Sequence, residues 1–252
     1  MAHETFSPPY APPEEVGTAL RQQGYAVLSP KGVADWLQRP LAELESLRGD
    51  WDRLPPDEYL KDGGRYRQRR HACFMAEGGA LVQAPHRAHW QPVEYNALHG
   101  GMQRWFAPME EATAAQPAWR ALLLHIAAAA SALRGQQRWY IEAHQFRIDT
   151  EGGIGRPTPE GAHRDGVDLV AVALVGRHGI KGGETRVFEG RRGERFTLTD
   201  PWALMLLDDE RVIHESTPIQ PLTEGEPGWR DTLVVTCRAG AFQGDDQPGG
   251  ID

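Results

Sequence analysis

Cysteine is scarce in this chain. Cys73 and Cys237 are the only two in 252 residues, and no C-x-x-C pair occurs. That argues against a disulfide framework and against a zinc knuckle, leaving two reduced structural thiols as the expectation. Long apolar runs are missing as well. The longest helix-like apolar block, around Ala121 to Ala130, is about half of the ~20 residues that cross a bilayer. The opening Met1-Ala2-His3-Glu4-Thr5 has neither a basic nor an apolar leader region, so no signal peptide is expected. Positive charge is in deficit: 27 Lys and Arg stand against 35 Asp and Glu, a formal net charge of −8. Without a sustained basic stripe, a nucleic-acid-binding role is disfavoured. No internal repeat is visible. These absences point to a soluble, cytoplasmic protein with neither nucleic acid nor membrane as a partner.

What is present suits a folded globular chain. Eight Trp, seven Phe and six Tyr accompany an ordinary apolar fraction, and the length is ample for a substantial core. Glu14 to Gln23 reads as a short helix stopped by Gly24, and Tyr25 to Leu28 as a strand. Lys31 to Arg48 has helical spacing, which Pro40 interrupts. Trp51 to Gly64 reads mostly as loop. The alternating run Arg65 to Met75 predicts a strand with arginines on one or both faces, either solvated or meeting an anionic small molecule. Residues 76–116 carry many His, Trp and Pro and no clear period. Trp119 to Gly135 is a strong Ala-rich helix, whose His125 reads as a packed or capping group.

From Trp139 the texture changes to short apolar runs divided by turns. Trp139–Ile148, Asp168–Val175, Glu184–Phe188, Glu194–Thr199, Trp202–Leu207, Val212–Ile219 and Asp231–Arg238 read as strands. Glu189-Gly190-Arg191-Arg192-Gly193 is among the intervening turns. The expectation is an α+β, mainly β chain: a sandwich, barrel or jelly roll over 139–240, buttressed by a helical and mixed region over 1–138, the whole of 1–252 forming one domain.

The chemistry concentrates in Pro159-Glu160-Gly161-Ala162-His163-Arg164-Asp165-Gly166-Val167-Asp168, a loop running into an apolar strand. His163 and Asp165 stand at i and i+2, so in extended backbone both leave the same face and can grip one metal ion. His214 is the best candidate for a third ligand. His178 is a rival, but it is flanked by Gly176 and Gly179 in an apparent turn; His144 is another, read as lining the barrel. Two His and one carboxylate on one side of a metal mark non-haem Fe(II) oxygenases. Such iron needs an electron-donating co-substrate, and a 2-oxo acid chelates through its keto oxygen and adjacent carboxylate. The far carboxylate of 2-oxoglutarate then calls for a guanidinium. Arg230, at the mouth of the last strand, is the candidate; its ordinary alternative is an ion pair with Asp208, Asp209 or Asp231.

The runs PEGAHRDGVD, GGETRVFE, LLDDERVIHESTPI and GWRDTLVVT together resemble the bacterial 2-oxoglutarate/Fe(II) dioxygenase family that includes L-isoleucine hydroxylases and proteins linked to biofilm and stress responses. The likeness covers roughly Tyr66 to Arg238. It implies a double-stranded β-helix (jelly-roll, cupin-like) core, iron held by His163, Asp165 and His214, and 2-oxoglutarate held by Arg230. It also implies consumption of O2, with succinate and CO2 as co-products. The reaction expected is hydroxylation of a small aliphatic L-amino acid such as isoleucine, leucine or methionine. Glu160 or Asp168 would meet its ammonium, and Arg67, Arg69 or Arg147 its carboxylate; each could equally be a surface or structural charge. A peptide side-chain hydroxylase and a non-catalytic metal or 2-oxoglutarate sensor are the competing readings. A nucleic-acid demethylase is disfavoured by the acidic charge, and a cupin-like isomerase by the carboxylate and the downstream arginine.

Overall fold

The computed structural model describes residues 6–61, 63–96 and 98–245. After a 3-10 turn at Pro13–Glu15, helix α1 (Val16–Gln23) ends on Gly24, whose φ of 76° is the left-handed stop that glycine adopts without strain. Strand β1 (Tyr25–Leu28) follows, then α2 (Pro30–Leu37), capped by the Ser29 side chain accepting from Gly32 N at 3.0 Å. Pro40 separates α2 from α3 (Leu41–Glu45), as its missing N–H and fixed φ require. The segment expected as mostly loop after residue 51 begins inside a 3-10 helix, Arg48–Arg53, because Trp51 must reach the core.

Strands β2 (Arg67–Glu77) and β3 (Ala80–Gln83) form a hairpin; α4 (Glu111–Ala114) and the long α5 (Pro117–Arg134) precede the C-terminal strands. These are β4 (Trp139–Asp149), β5 (Leu169–His178), β6 (Ile180–Gly182), β7 (Thr185–Glu189), β8 (Arg192–Phe196), β9 (Leu204–Asp208), β10 (Ile213–Ser216), β11 (Ile219–Pro221) and β12 (Trp229–Ala239). The major antiparallel sheet has the order β1-β9-β5-β12-β4-β2-β3; opposite it lie β10-β7-β8 and the pair β11-β6. This is the double-stranded β-helix. Its major sheet is not confined to 139–240, since β1, β2 and β3 come from the N-terminal half.

Period-two alternation sorts the side chains of the major sheet onto two faces. Leu169, Ala171, Ala173 and Val175 of β5 join the helix-facing core with Trp119, Leu122 and Leu123 of α5, whereas Val170, Val172 and Leu174 face the interior with Met205 and Leu207. Both faces of β5 are buried, so it reads as a continuous apolar run. On β2, β4 and β12 the helix-facing positions are apolar (Phe74, Ile141, Val235), but the interior positions include Arg67, Arg69, His144 and Arg230, all buried. Lining an interior with charge is costly unless something pairs with it.

Three expectations change. Val212–Ile219 is two strands: Pro218 cannot donate to a ladder, and the chain leaves β7 to pair with β6. Arg192 and Gly193, expected in a turn, belong to β8, because the hairpin turns tightly through Gly190 and Arg191. Residues 76–116 contain β3 and α4, both too short to show a period. The His125 reading is borne out: its Nδ1 meets the Ala121 carbonyl at 2.9 Å. No helix among the described residues is long and apolar enough to cross a membrane.

Trp51 ties the N-terminal region to β12, donating from Nε1 to the Thr232 carbonyl at 3.1 Å while fully buried edge-on to Trp202. Trp51→Ala is expected to cost about 3–5 kcal/mol, the usual cost of emptying a large aromatic site; urea unfolding measures it.

Candidate metal and co-substrate site

The loop before β5 is bonded to β10 through the backbone of His163. His163 N donates to the His214 carbonyl at 3.0 Å and His214 N to the His163 carbonyl at 2.9 Å, an isolated antiparallel bridge. That pairing sets the two imidazoles side by side, ring centroids 4.8 Å apart. On β10, His214 lies opposite Val187 and so shares its inward face. Asp165 comes back toward both rings: Oδ1 is 3.5 Å from His163 Nε2 and Oδ2 is 3.9 Å from His214 Nε2. The ligand atoms of the three residues all lie within 4.8 Å of one another. His178, the turn-borne rival, is exposed beside Trp229. His144 is buried on the cavity wall and belongs to a different cluster.

The trio is preorganised. His163 Nδ1 donates to the Gly161 carbonyl at 2.8 Å, which leaves Nε2 as the ligating nitrogen. Asp209 clamps the loop with one carboxylate, accepting from the backbone N–H of Asp165 (3.0 Å), Gly166 (2.8 Å) and Val167 (3.1 Å). Gly166, at φ 77°, is pressed against Tyr95: a Cβ there would meet the ring at 2.4 Å. Gln91 Nε2 donates to Asp165 Oδ1 at 3.3 Å. Because Asp209 fixes a ligand without touching the metal position, Asp209→Ala is expected to weaken divalent-metal binding by about 10–100-fold, read by calorimetric titration.

Electrostatics agree with a cation site. Burial opposes charge on His163, but the hydrogen bond and charge of Asp165, backed by Glu160, raise its pKa to about 10. Burial and the neighbouring His163 charge lower His214 to about 4. Burial works against the Asp165 carboxylate, yet His163 holds it down at about 2. Of the three ligands, only His163 therefore carries a proton that a metal must displace at neutral pH, while burial and the Asp165 charge raise Asp209 to about 7 and leave it partly protonated behind them. Between roughly pH 5 and 9, metal affinity is expected to fall at least about tenfold for each unit the pH drops. At pH 7 at least one proton should be released per ion, measured by titration in buffers of different ionisation enthalpy. Two imidazoles and a carboxylate, convergent and open on the cavity side, fit Fe(II).

Arg230 enters the same cavity from β12, in register with Ile148 on β4 and Arg177 on β5. The ion pairs that could have explained it are not formed. Asp231 is held by Arg147 at 2.7 Å, Asp208 by Arg134 at 2.5 Å, and Asp209 by backbone. Among the described residues no carboxylate is within salt-bridge reach of Arg230, and its Nε is buried without a partner. Burial and the Arg177 charge lower its pKa to about 10, so it stays a cation at neutral pH. A buried unpaired guanidinium is a receptor for an anion.

Of the other candidates, Arg67, Arg69 and Glu160 line the cavity; Arg147 and Asp168 do not. Arg147 lies on the opposite face of β4, clamped between Asp231 and Asp52 (2.8 Å) over the Trp229 ring. Asp168 sits beyond the start of β5, where Arg134 and Ala239 N occupy it. Neither is free to meet a ligand there. Arg104, His89, Gln91, Asn96 and His99 also line the cavity and were not singled out by sequence. They come from the aperiodic segment between β3 and α4, where a concentration of histidines (His86, His89 and His99) is the local mark.

A jelly roll carrying this trio with a buried arginine behind it defines a non-haem iron, 2-oxo-acid-dependent oxygenase. The chain belongs to the 2OG-Fe dioxygenase family, whose profile matches residues 48–236. It is a 2-oxoglutarate-dependent dioxygenase, and its family uses Fe(II), 2-oxoglutarate and O2. It is similar to a bsmA homologue from Methylobium petroleophilum at 51% identity, TM-score 0.89, over 95% of this chain and 98% of that one. The fold is shared with IDO from Bacillus thuringiensis (18% identity, TM-score 0.74, 91% and 100% covered). It is shared too with the Fe(II)/α-ketoglutarate-dependent dioxygenase TqaL (16%, 0.68, 95% and 91%). No match was found among curated proteins.

Proposed function

We propose that this enzyme hydroxylates a free aliphatic L-amino acid of the isoleucine, leucine or methionine type, with succinate and CO2 as co-products. His163, Asp165 and His214 would hold Fe(II), and Arg230 would hold the far carboxylate of 2-oxoglutarate. When bound, the iron and co-substrate supply the oxidising power, splitting O2 between succinate and the hydroxylated product. The protein's part is to seat the substrate and keep water from the reacting carbon.

The observation carrying the substrate class is the charge layout of one cavity wall. Arg67, Arg69 and Arg104 line it together. Arg67 Nε donates to Asp57 at 2.7 Å, and Arg69 is 3.6 Å from the same carboxylate. Arg69 is sandwiched between Phe106 and Phe146, 3.5 and 4.4 Å from their ring centroids. Arg67 Nη2, Arg69 Nε and Arg104 Nε remain buried without acceptors, which a substrate carboxylate would satisfy. Glu160 supplies the opposite charge beside the metal position, 3.5 Å from His163 Nε2. Once that nitrogen ligates iron, Glu160 is available to an ammonium group. Phe146, Ile148, Val172, Met205 and Val234 give the cavity apolar wall for an aliphatic side chain. A zwitterion with an aliphatic tail matches this layout; an internal peptide residue, which has neither free terminus, does not.

The test is succinate release from Fe(II) and 2-oxoglutarate in the presence of each free amino acid. Aliphatic L-amino acids are expected to stimulate release, while their N-acetylated amides are not. Stimulation by the capped forms alone would transfer the assignment to a peptide substrate.

A further inference from the structure

Beside the iron position lies a second, fully buried group: His71, His89, Glu142 and His144, with ligand atoms within 4.8 Å of one another. It has the residue types of a metal site, but its protons are otherwise arranged. Arg69 Nη2 approaches His144 Nδ1 at 2.7 Å. A guanidinium only donates, so Nδ1 accepts and the neutral ring carries its proton on Nε2, the atom that faces Glu142. A protonated nitrogen cannot ligate. Glu142 Oε2 lies 2.9 Å from His71 Nε2 and 2.6 Å from His89 Nδ1, both hydrogen-bond lengths. A carboxylate only accepts, so both of those nitrogens carry protons. Burial keeps all three rings neutral, with His89 lowered to about 4.

One consequence concerns the cavity. His89 lines it, and with its proton committed to Glu142 it presents a bare Nε2 that has no partner among the described residues. The side-chain amide oxygens nearby are in use. Gln91 Oε1 takes Asn96 Nδ2 at 3.1 Å and Arg104 Nη2 at 2.9 Å; Asn96 Oδ1 takes His99 N at 2.8 Å. A wall rich in guanidinium donors therefore retains a neutral acceptor in His89 Nε2, made more basic by the carboxylate behind it. A carboxylate would be repelled by that lone pair; an ammonium would be bound by it.

We propose that His89 Nε2 accepts a hydrogen bond from the substrate's ammonium group, and that Glu142 is the positioning residue that keeps this nitrogen free. The inference rests on the amino-acid reading above and assigns the ammonium a second acceptor besides Glu160.

The experiment compares L-isoleucine, L-leucine and L-methionine, each against the carboxylic acid lacking its amino group. Binding to the anaerobic Fe(II)–2-oxoglutarate enzyme is measured by calorimetry. The wild type is expected to prefer the amino acid. His89→Leu should lower that preference by about tenfold, the worth of one hydrogen bond to a charged group. His89→Gln, whose Oε1 replaces the lone pair, should keep it within about threefold on the same scale. Imidazole nitrogen-15 shifts of the metal-free protein provide a readout independent of any substrate: His89 should be protonated at Nδ1 and bare at Nε2, and Glu142→Gln should remove that bias. A His89→Leu enzyme with the full wild-type preference, or a His89 protonated at Nε2, overturns the proposal while leaving the amino-acid reading intact. A wild type that binds the carboxylic acids but none of the amino acids overturns both.

Discussion

Replacing Arg230 by alanine is expected to raise the 2-oxoglutarate concentration needed for half-maximal turnover by about 100-fold or more. Breaking a buried charge pair from one side costs about 3–5 kcal/mol, and each 1.4 kcal/mol is about tenfold. Arg230 is buried, carries an unpaired Nε, and has no carboxylate of its own chain within reach. The loss should fall on co-substrate affinity more than on iron, because the chelating end of 2-oxoglutarate would not touch this residue. Arg230→Lys should recover only part of the loss, since an ammonium cannot reproduce a planar pair of hydrogen bonds. Steady-state kinetics with varied 2-oxoglutarate, beside a metal titration of the same variant, separates the two effects. An unchanged co-substrate requirement would remove Arg230 from the site.

The larger effect is expected from His214→Ala or His163→Ala. Each leaves two ligands where three converge, so iron binding should weaken by more than the ~10–100-fold attached to a group that only orients a ligand. Turnover should fall with it. The fold should survive, because the His163–His214 bridge is made by backbone atoms at 3.0 and 2.9 Å and needs neither imidazole. An unchanged melting temperature with lost metal binding is the expected pair of results.

Much of this site was legible before any coordinates, because its signals are local. His163 and Asp165 are two residues apart, and Arg230 sits where an apolar strand begins. Parity would have carried the reading further. His144, Phe146 and Ile148 all line the cavity, so Arg147 between them must point the other way, where it finds Asp231 across the strand pair. The same rule places Arg67, Arg69 and His71 on one face of β2 and sends Arg70 to the other, against the Pro108 carbonyl at 2.9 Å. Other features had no local signal. Asp209 is one of three acids in a row before His214, and only the fold shows that it holds the backbone of Asp165, Gly166 and Val167. His89 and Arg104 reach the cavity from a segment without periodicity, whose path is set by tertiary contacts and not by propensity.

Anaerobic addition of Fe(II) and then 2-oxoglutarate tests the central claim most directly, because chelation of iron by the 2-oxo acid produces a visible charge-transfer absorption. The wild type should develop that band at near-stoichiometric iron. His214→Ala should show none, and Arg230→Ala should show it only at much higher 2-oxoglutarate. A His214→Ala protein that develops the wild-type band at the wild-type concentrations would contradict the assignment of the iron site.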